Sequence, residues 1–207
     1  MIEAAEAIVT DHGLATPRST LRAGNILHEL PAVITHNYHP DRGAFRNVCN
    51  LPEDAAERIV ASIRAEGFSF LKADYLKRRM QTEAWLIAER MKKLGETPLT
   101  RPVYFFLGDM ADGWDKSRPA SIILPLAAFD AHTLTFTFPD SMTSCPTSHG
   151  GAGSHPYHGQ AFTLSEIAEV VFRHGFPDPK LVREQRDADA FIEVQVWDDR
   201  PLAAYRR

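Results

Sequence analysis

The hydrophobic period of the chain changes at Pro102, and this change restricts the folds that the sequence can adopt. Before it, apolar residues recur every three to four positions over two long segments, which is the spacing of amphipathic helices. After it, short aromatic or β-branched runs alternate with turn residues, which is typical of strands. These runs span 103–107, 120–124, 134–138 and 191–197. Helices followed by strands favour an α+β fold over a doubly wound sheet.

Three helices are predicted, each with one face toward the core. The first begins near Asn50, whose side chain can cap it, and the second covers about 74–94. The third begins at a capping box, Thr163 to Glu166, and ends near Gly175. The predicted inward residues are Ala56, Ile59, Val60 and Ile63 in the first, Leu76, Met80, Ala84, Ile87, Met91 and Leu94 in the second, and Ala168, Val171 and Phe172 in the third.

Length and composition favour one globular domain over the whole of 1–207. The 207 residues contain no long spacer, and 44% apolar with 24% charged residues is ordinary globular usage. We predict an irregular N-terminal segment, 1–44, with brief strands, wrapped on a core at 45–200. No apolar run is long enough to cross a bilayer, so a membrane partner is not expected.

The N-terminus and the cysteines indicate a cytoplasmic location. Glu3 and Glu6 stand where a secretory signal carries positive charge. Cys49 and Cys145 share no CxxC spacing, and free thiols suit a reducing compartment.

Glu193 is the first candidate for chemistry, because it lies inside the last strand-like run among residues that favour burial. The sequence contains no GxGxxG, Walker, HExxH or GxSxG motif, so common nucleotide and hydrolase sites have no support. If the face of Glu193 borders a cleft, burial tunes its proton affinity and its charge can stabilise a developing cation. The alternative is a glutamate on the solvated face of an edge strand.

A basic cluster in the second helix is the next candidate. Lys77, Arg78 and Arg79 are consecutive, and Arg90 follows a few turns later. Arginine can clamp a pyrophosphate through paired hydrogen bonds. Because the net charge is −4, any nucleic-acid binding must use such a local patch. The alternative is the solvated side of a helix.

Two HxxH pairs leave a metal-dependent enzyme open as an alternative. The histidines are His36 and His39, then His155 and His158, and this spacing can hold zinc or iron. Both pairs lie in loop-like sequence, which equally suits loop-packing histidines. The Gly-rich segment 140–159 can cradle a phosphate or cover a site, and Cys145 in it is a conceivable nucleophile.

A non-catalytic binding or immunity-type protein is the other alternative. It is motivated by the missing motifs and by Trp114, an aromatic residue between acidic neighbours.

The order of elements resembles the ADP-ribosyltransferase fold, and particularly its DarT-like branch, which modifies DNA bases using NAD. The resemblance covers about 45–200. Its matches are the basic run 77–79 at the essential arginine of that branch, the run 102–106 at its aromatic strand, and 191–196 at its catalytic glutamate strand. It implies a mostly antiparallel, split sheet, NAD as a substrate without a metal, and a toxin–antitoxin role with DNA binding.

The resemblance also implies roles for individual residues. Glu193 would stabilise the ribosyl oxocarbenium and activate the acceptor, while Arg79 or Arg78 holds phosphate. Nucleic acid would be bound through Lys77, Arg78, Arg79 and Arg90.

The resemblance further implies the residues that contact NAD. Tyr104 or Phe105 would pack beside the nicotinamide. The first strand of the family usually offers a histidine toward NAD, and the corresponding segment here has Arg46 or Asn47 instead.

Overall fold

The protein has an α+β fold, as predicted, and its described residues form one five-stranded antiparallel sheet. A computed structural model describes residues 30–67, 71–111, 115–146, 155–178 and 191–206. The sheet has the order β3-β1-β2-β5-β4. Its strands are β1 (Val33–Tyr38), β2 (Val103–Leu107), β3 (Ala120–Pro125), β4 (Leu134–Thr137) and β5 (Glu193–Val196).

In the part of the chain that the structure describes, four α-helices accompany the sheet: α1 (Glu53–Ala65), α2 (Tyr75–Lys93), α3 (Ser141–Ser144) and α4 (Leu164–His174). Short 3-10 helices lie at Pro40–Arg42, Val48–Asn50, Leu126–Ala128, Ala131–Thr133 and Arg200–Tyr205. Within the described ranges, no helix combines the length and the apolar character needed to cross a bilayer.

Strand β1 extends the sheet into the segment that we expected to be an irregular wrap. It pairs with β2 on one side and with β3 on the other, so it lies inside the sheet. The reason is its alternation: Ile34 points into the apolar core, and Thr35 points to the opposite face. Residues 33–38 therefore belong to the core, whose start the sequence placed at 45.

The two faces of the sheet differ in chemistry. One carries apolar side chains, including Phe105 on β2 and Val194 on β5, and packs against α4 through Ile167 and Val171. The other carries polar side chains from β2, β4 and β5: the half-buried Tyr104 and the buried Thr135, Thr137, Glu193 and Gln195. The apolar face supplies the core, and the polar face brings reactive groups together.

Helices α1 and α4 largely bury the faces that were predicted to point inward. Ala56 and Val60 of α1 are buried, and the capping box of α4 is formed. Two details are wrong. Asn50 does not cap α1, because it lies in a 3-10 helix before Pro52, the N-cap residue. Phe172 is 50% exposed.

Ile87 and Leu94 of α2 pack against a small core cluster as predicted, but the rest of the predicted inward stripe of α2 is wrong. Its residues are partly or fully exposed, with Met91 at 46%, and α2 instead buries Arg79, Thr82, Glu83, Leu86 and Arg90. The charged residues can be buried because complementary groups meet them there. Helix α2 therefore covers the polar face of the sheet.

Candidate active site

Glu193 lies on an interior strand and is nearly buried. Strand β5 is flanked by β2 and β4, where Glu193 is in register with Phe106 and Thr137. The residue is 8% exposed. The alternative of a solvated glutamate on an edge strand is therefore wrong.

The carboxylate of Glu193 is held through one oxygen. Its Oε1 accepts a hydrogen bond from Gln195 Nε2 at 3.0 Å and a longer one from the Ser141 N–H at 3.4 Å. Within the described residues, Oε2 accepts no hydrogen bond. The described contacts therefore hold the carboxylate by Oε1.

A buried hydrogen-bonded chain along β4 and β5 fixes Gln195 in turn. Gln195 Nε2 also donates to Thr137 Oγ1 at 3.1 Å, and its Oε1 accepts from Thr135 Oγ1 at 2.9 Å. The indole N–H of Trp197 donates to Thr135 Oγ1 at 2.8 Å. These contacts orient the amide so that it donates to Glu193, which holds the carboxylate in one place.

Arg79 reaches the same site from α2. It is 8% exposed, and its Nη1 donates to Ser141 Oγ at 3.2 Å. Its guanidinium carbon lies 3.8 Å from the centre of the Tyr104 ring, which is a cation–π contact. Because the Ser141 backbone N–H also donates to Glu193, Ser141 bridges the guanidinium and the carboxylate.

Burial and neighbouring charges set the protonation of this pair. Burial raises the pKa of Glu193, the positive charge of Arg79 opposes the rise, and the negative charge of Asp140 adds to it. Burial opposes the charge of Arg79, but the surrounding Tyr104 and Glu193 raise its pKa overall. Arg79 therefore stays charged, and Glu193 holds a proton more readily than an ordinary carboxyl group does.

Glu83 is a site residue that the sequence reading missed. Its carboxylate is fully buried and accepts hydrogen bonds from Asn47 Nδ2 at 2.6 Å and from the Tyr104 hydroxyl at 2.9 Å. Arg101 Nη1 donates to its other oxygen at 2.7 Å. The available signal was spacing: Glu83 stands four positions after Arg79, on the same helical face.

Only some of the residues predicted to contact NAD lie in the site. Tyr104 lies in the site, and Asn47 joins it through Glu83. Arg46 is exposed and makes no hydrogen bond to this cluster. Phe105 is wrong as a site residue: it is 1% exposed and packs against Phe45 in the apolar core. Adjacent strand residues point to opposite faces, so only one of Tyr104 and Phe105 can reach the site.

The four basic residues predicted for nucleic acid do not form one surface. Lys77 is exposed and Arg78 half-buried, but Arg79 and Arg90 are buried. Arg90 donates to Gly95 O at 3.1 Å and lies over the Trp197 ring. For Arg79 and Arg90 the prediction of an exposed patch is wrong.

The HxxH histidines have other roles where the structure describes them. His36 Nδ1 lies 2.8 Å from Tyr104 O, and its Nε2 accepts from the Phe45 N–H at 2.8 Å, so both nitrogens are engaged. His155 and His158 stack edge-to-face at 5.3 Å. The described ranges contain no group of three or more potential metal ligands. Trp114 and residues 147–154 of the Gly-rich segment lie outside the described residues.

Comparison with known proteins does not name a family. No protein-family model, curated protein or solved structure matches this chain. The function is therefore inferred from the geometry around Glu193 and Arg79.

Glu193 and Arg79 are each 8% exposed, so the described part of the site is largely buried. Two surface pockets of about 460 and 430 Å³ lie beside α1 and beside α4, and neither is lined by Glu193 or Arg79. Among the described residues, two buried hydroxyls, Thr82 Oγ1 on α2 and Ser144 Oγ on α3, have no hydrogen-bond partner. Buried polar groups normally have partners, so these hydroxyls fit a polar ligand.

Proposed function

We propose that the protein is an NAD-dependent enzyme of the ADP-ribosyltransferase type, with Glu193 and Arg79 as its principal site residues. One observation carries the proposal. A buried carboxylate on β5 and a buried guanidinium on α2, distant in the sequence, share one site through Ser141. Perturbed titratable groups arranged in this way are typical of catalytic sites.

The charges of the site suit NAD, which carries an anionic pyrophosphate and a cationic nicotinamide. Arg79 would hold the phosphates, because its closest carboxylate contact, to Glu83, is a long 3.9 Å. Tyr104 offers an aromatic surface, although Arg79 now covers one of its faces. Thr82 and Ser144 would supply hydroxyl groups to the ligand.

The proposed reaction transfers the ribosyl group of NAD to an acceptor. The bond between the ribose carbon and the nicotinamide nitrogen breaks, and its electron pair leaves with nicotinamide. Positive charge then develops on the ribose, and the Glu193 carboxylate stabilises it. The acceptor bonds to the same carbon and gives its proton to Glu193, whose pKa is raised by burial. Glu193 finally returns that proton to water.

The proposal also covers the acceptor of the ribosyl group, the biological role and the location of the protein. The resemblance favours a nucleic-acid acceptor, a toxin–antitoxin role and a cytoplasmic location. Of the four basic residues first considered for nucleic acid, Lys77 is exposed and Arg78 half-buried. A nucleic acid would therefore contact the protein here with fewer charges than the sequence indicated.

The test uses NAD labelled separately on the nicotinamide and on the adenylate. We expect the wild type to release nicotinamide and to transfer adenylate label to an acceptor or to water. Glu193→Gln should keep the fold and lose roughly a hundredfold or more in rate, because a charge that stabilises the transition state is removed. The control is Glu89→Gln, which alters an α2 carboxylate paired with Lys92.

Two outcomes would count against the proposal. Equal nicotinamide release by wild type and Glu193→Gln would reject the mechanism. Failure of the wild type both to bind and to cleave NAD would reject the function.

A further inference from the structure

We infer that Glu83 is a positioning residue for the proposed NAD site: it sets the place of the Arg79 guanidinium opposite Glu193. The inference rests on the proposed function for its effect on catalysis. Its structural part, the control of Arg79 by Glu83, can be tested separately.

Glu83 acts on Arg79 from two directions. Its Oε1 lies 3.9 Å from Arg79 Nε on the same helix. The same oxygen accepts the Tyr104 hydroxyl hydrogen bond at 2.9 Å, which fixes the ring beneath the guanidinium. Glu83 therefore fixes both the Nε edge of the Arg79 guanidinium and the Tyr104 ring that it packs on. In that position, Arg79 Nη1 points toward Glu193 and donates to Ser141.

Complete burial makes this arrangement sensitive to the charge of Glu83. The carboxylate is 0% exposed, and on the side of Arg79 and Tyr104 water cannot readily replace a lost partner, whereas Arg101 on the other side is 30% exposed. Glu83→Gln keeps the size of the side chain and removes the negative charge next to Arg79. It also replaces one carboxylate oxygen with an NH2 group. That group cannot accept a hydrogen bond, so either the bond from the Tyr104 hydroxyl or the bond from Arg101 is lost.

A purely structural role for Glu83 is the competing explanation. Its carboxylate also accepts a hydrogen bond from Asn47 at 2.6 Å, and Asn47 in turn donates to Pro102 O at 2.9 Å. These bonds would stabilise the fold whatever Arg79 does. A change at Arg101 can separate the structural role of Glu83 from its effect on Arg79. Arg101 contacts the same carboxylate from the outer side, and its side chain is 30% exposed. Arg101→Gln is therefore the matched control.

The experiment follows the Nε–H signal of Arg79 in ¹H–¹⁵N spectra, assigned by its loss in Arg79→Lys. We expect the signal to shift or broaden in Glu83→Gln and in Tyr104→Phe, and to stay in place in Arg101→Gln. For each folded variant, kcat/KM for NAD is measured in parallel. Glu83→Gln should lose roughly ten- to a hundredfold, as misplaced binding groups do. The loss should fall mainly on KM, because the phosphates that Arg79 holds do not react.

An unchanged Arg79 signal in folded Glu83→Gln would overturn the inference. If Glu83→Gln does not fold, Tyr104→Phe decides, since it removes only the hydroxyl that Glu83 accepts. An unchanged Arg79 signal in that variant would also overturn it. If the wild type does not use NAD, the proposed function fails, and the spectra still decide whether Glu83 positions Arg79.

Discussion

His36 should make the stability of the fold fall as the pH drops below neutral. Its ring on β1 is 6% exposed and bridges two backbone groups. The Phe45 N–H can only donate, so Nε2 must accept and carry no proton, and Nδ1 donates to Tyr104 O. A second proton would place two donors face to face. Burial, the largest cause, lowers the pKa of His36 from 6.5 to about 4.

The sign and size of the effect follow from this shift. As the pH falls through 6.5, the unfolded chain takes up the proton first, so unfolding becomes easier. The contribution of His36 is fully present above pH 6.5 and is lost as the pH falls toward 4. Over the whole interval it amounts to about 3 kcal/mol, at about 1.4 kcal/mol per pH unit.

Urea unfolding of wild type and His36→Gln at pH 7 and about pH 4.5 would measure this contribution. Carboxylates with lowered pKa values, such as Asp115 and Glu166, also lose stabilising contacts in acid, but they do so in both proteins. We expect the wild type to lose about 2 to 3 kcal/mol more than the variant between the two pH values. Equal losses in the two proteins would refute the reasoning.

Two further predictions concern buried groups. Gln195→Leu leaves two threonine hydroxyls without their amide partner. The free energy of unfolding, measured by chemical denaturation, should therefore fall by about 1 to 3 kcal/mol. An unchanged value would contradict the hydrogen-bonded chain. Cys49 and Cys145 are buried, and burial, with the nearby Glu83 charge, raises the pKa of Cys49 to about 12. Both thiols should react with Ellman's reagent much more slowly in the native protein than after denaturation, and rapid native labelling would contradict this.

The four strands after Pro102 could be predicted from the sequence because their composition and their period agree. The 103–107 run is entirely apolar or aromatic and forms β2 over the same residues. Helix α2 could not be oriented in the same way. Hydrophobic periodicity turns charged residues outward, whereas Arg79 and Glu83 point inward because each finds partners on other elements. Such pairing depends on tertiary structure and leaves no periodic trace.

The candidate site was predictable only in part for the same reason. Glu193 and Arg79 were selected from the sequence, and the structure brings them together. Ser141 lies in the Gly-rich segment that the sequence put forward as a phosphate cradle or a cover, but its bridging of the two groups was not predicted. The second carboxylate, Glu83, was missed. The choice between Tyr104 and Phe105 needed the register of β2 against β5, which places Tyr104 opposite Gln195 on the polar face.

The most direct test of the central claim is the affinity of NAD for Glu193→Gln protein, which should not consume the ligand during calorimetry. If Glu193 and Arg79 belong to one NAD site, Glu193→Gln should bind NAD saturably at one site per chain. Adding Arg79→Lys should weaken that binding by roughly tenfold or more, because the paired hydrogen bonds of the guanidinium are lost. No binding to Glu193→Gln, or the same affinity with and without Arg79→Lys, would contradict the claim.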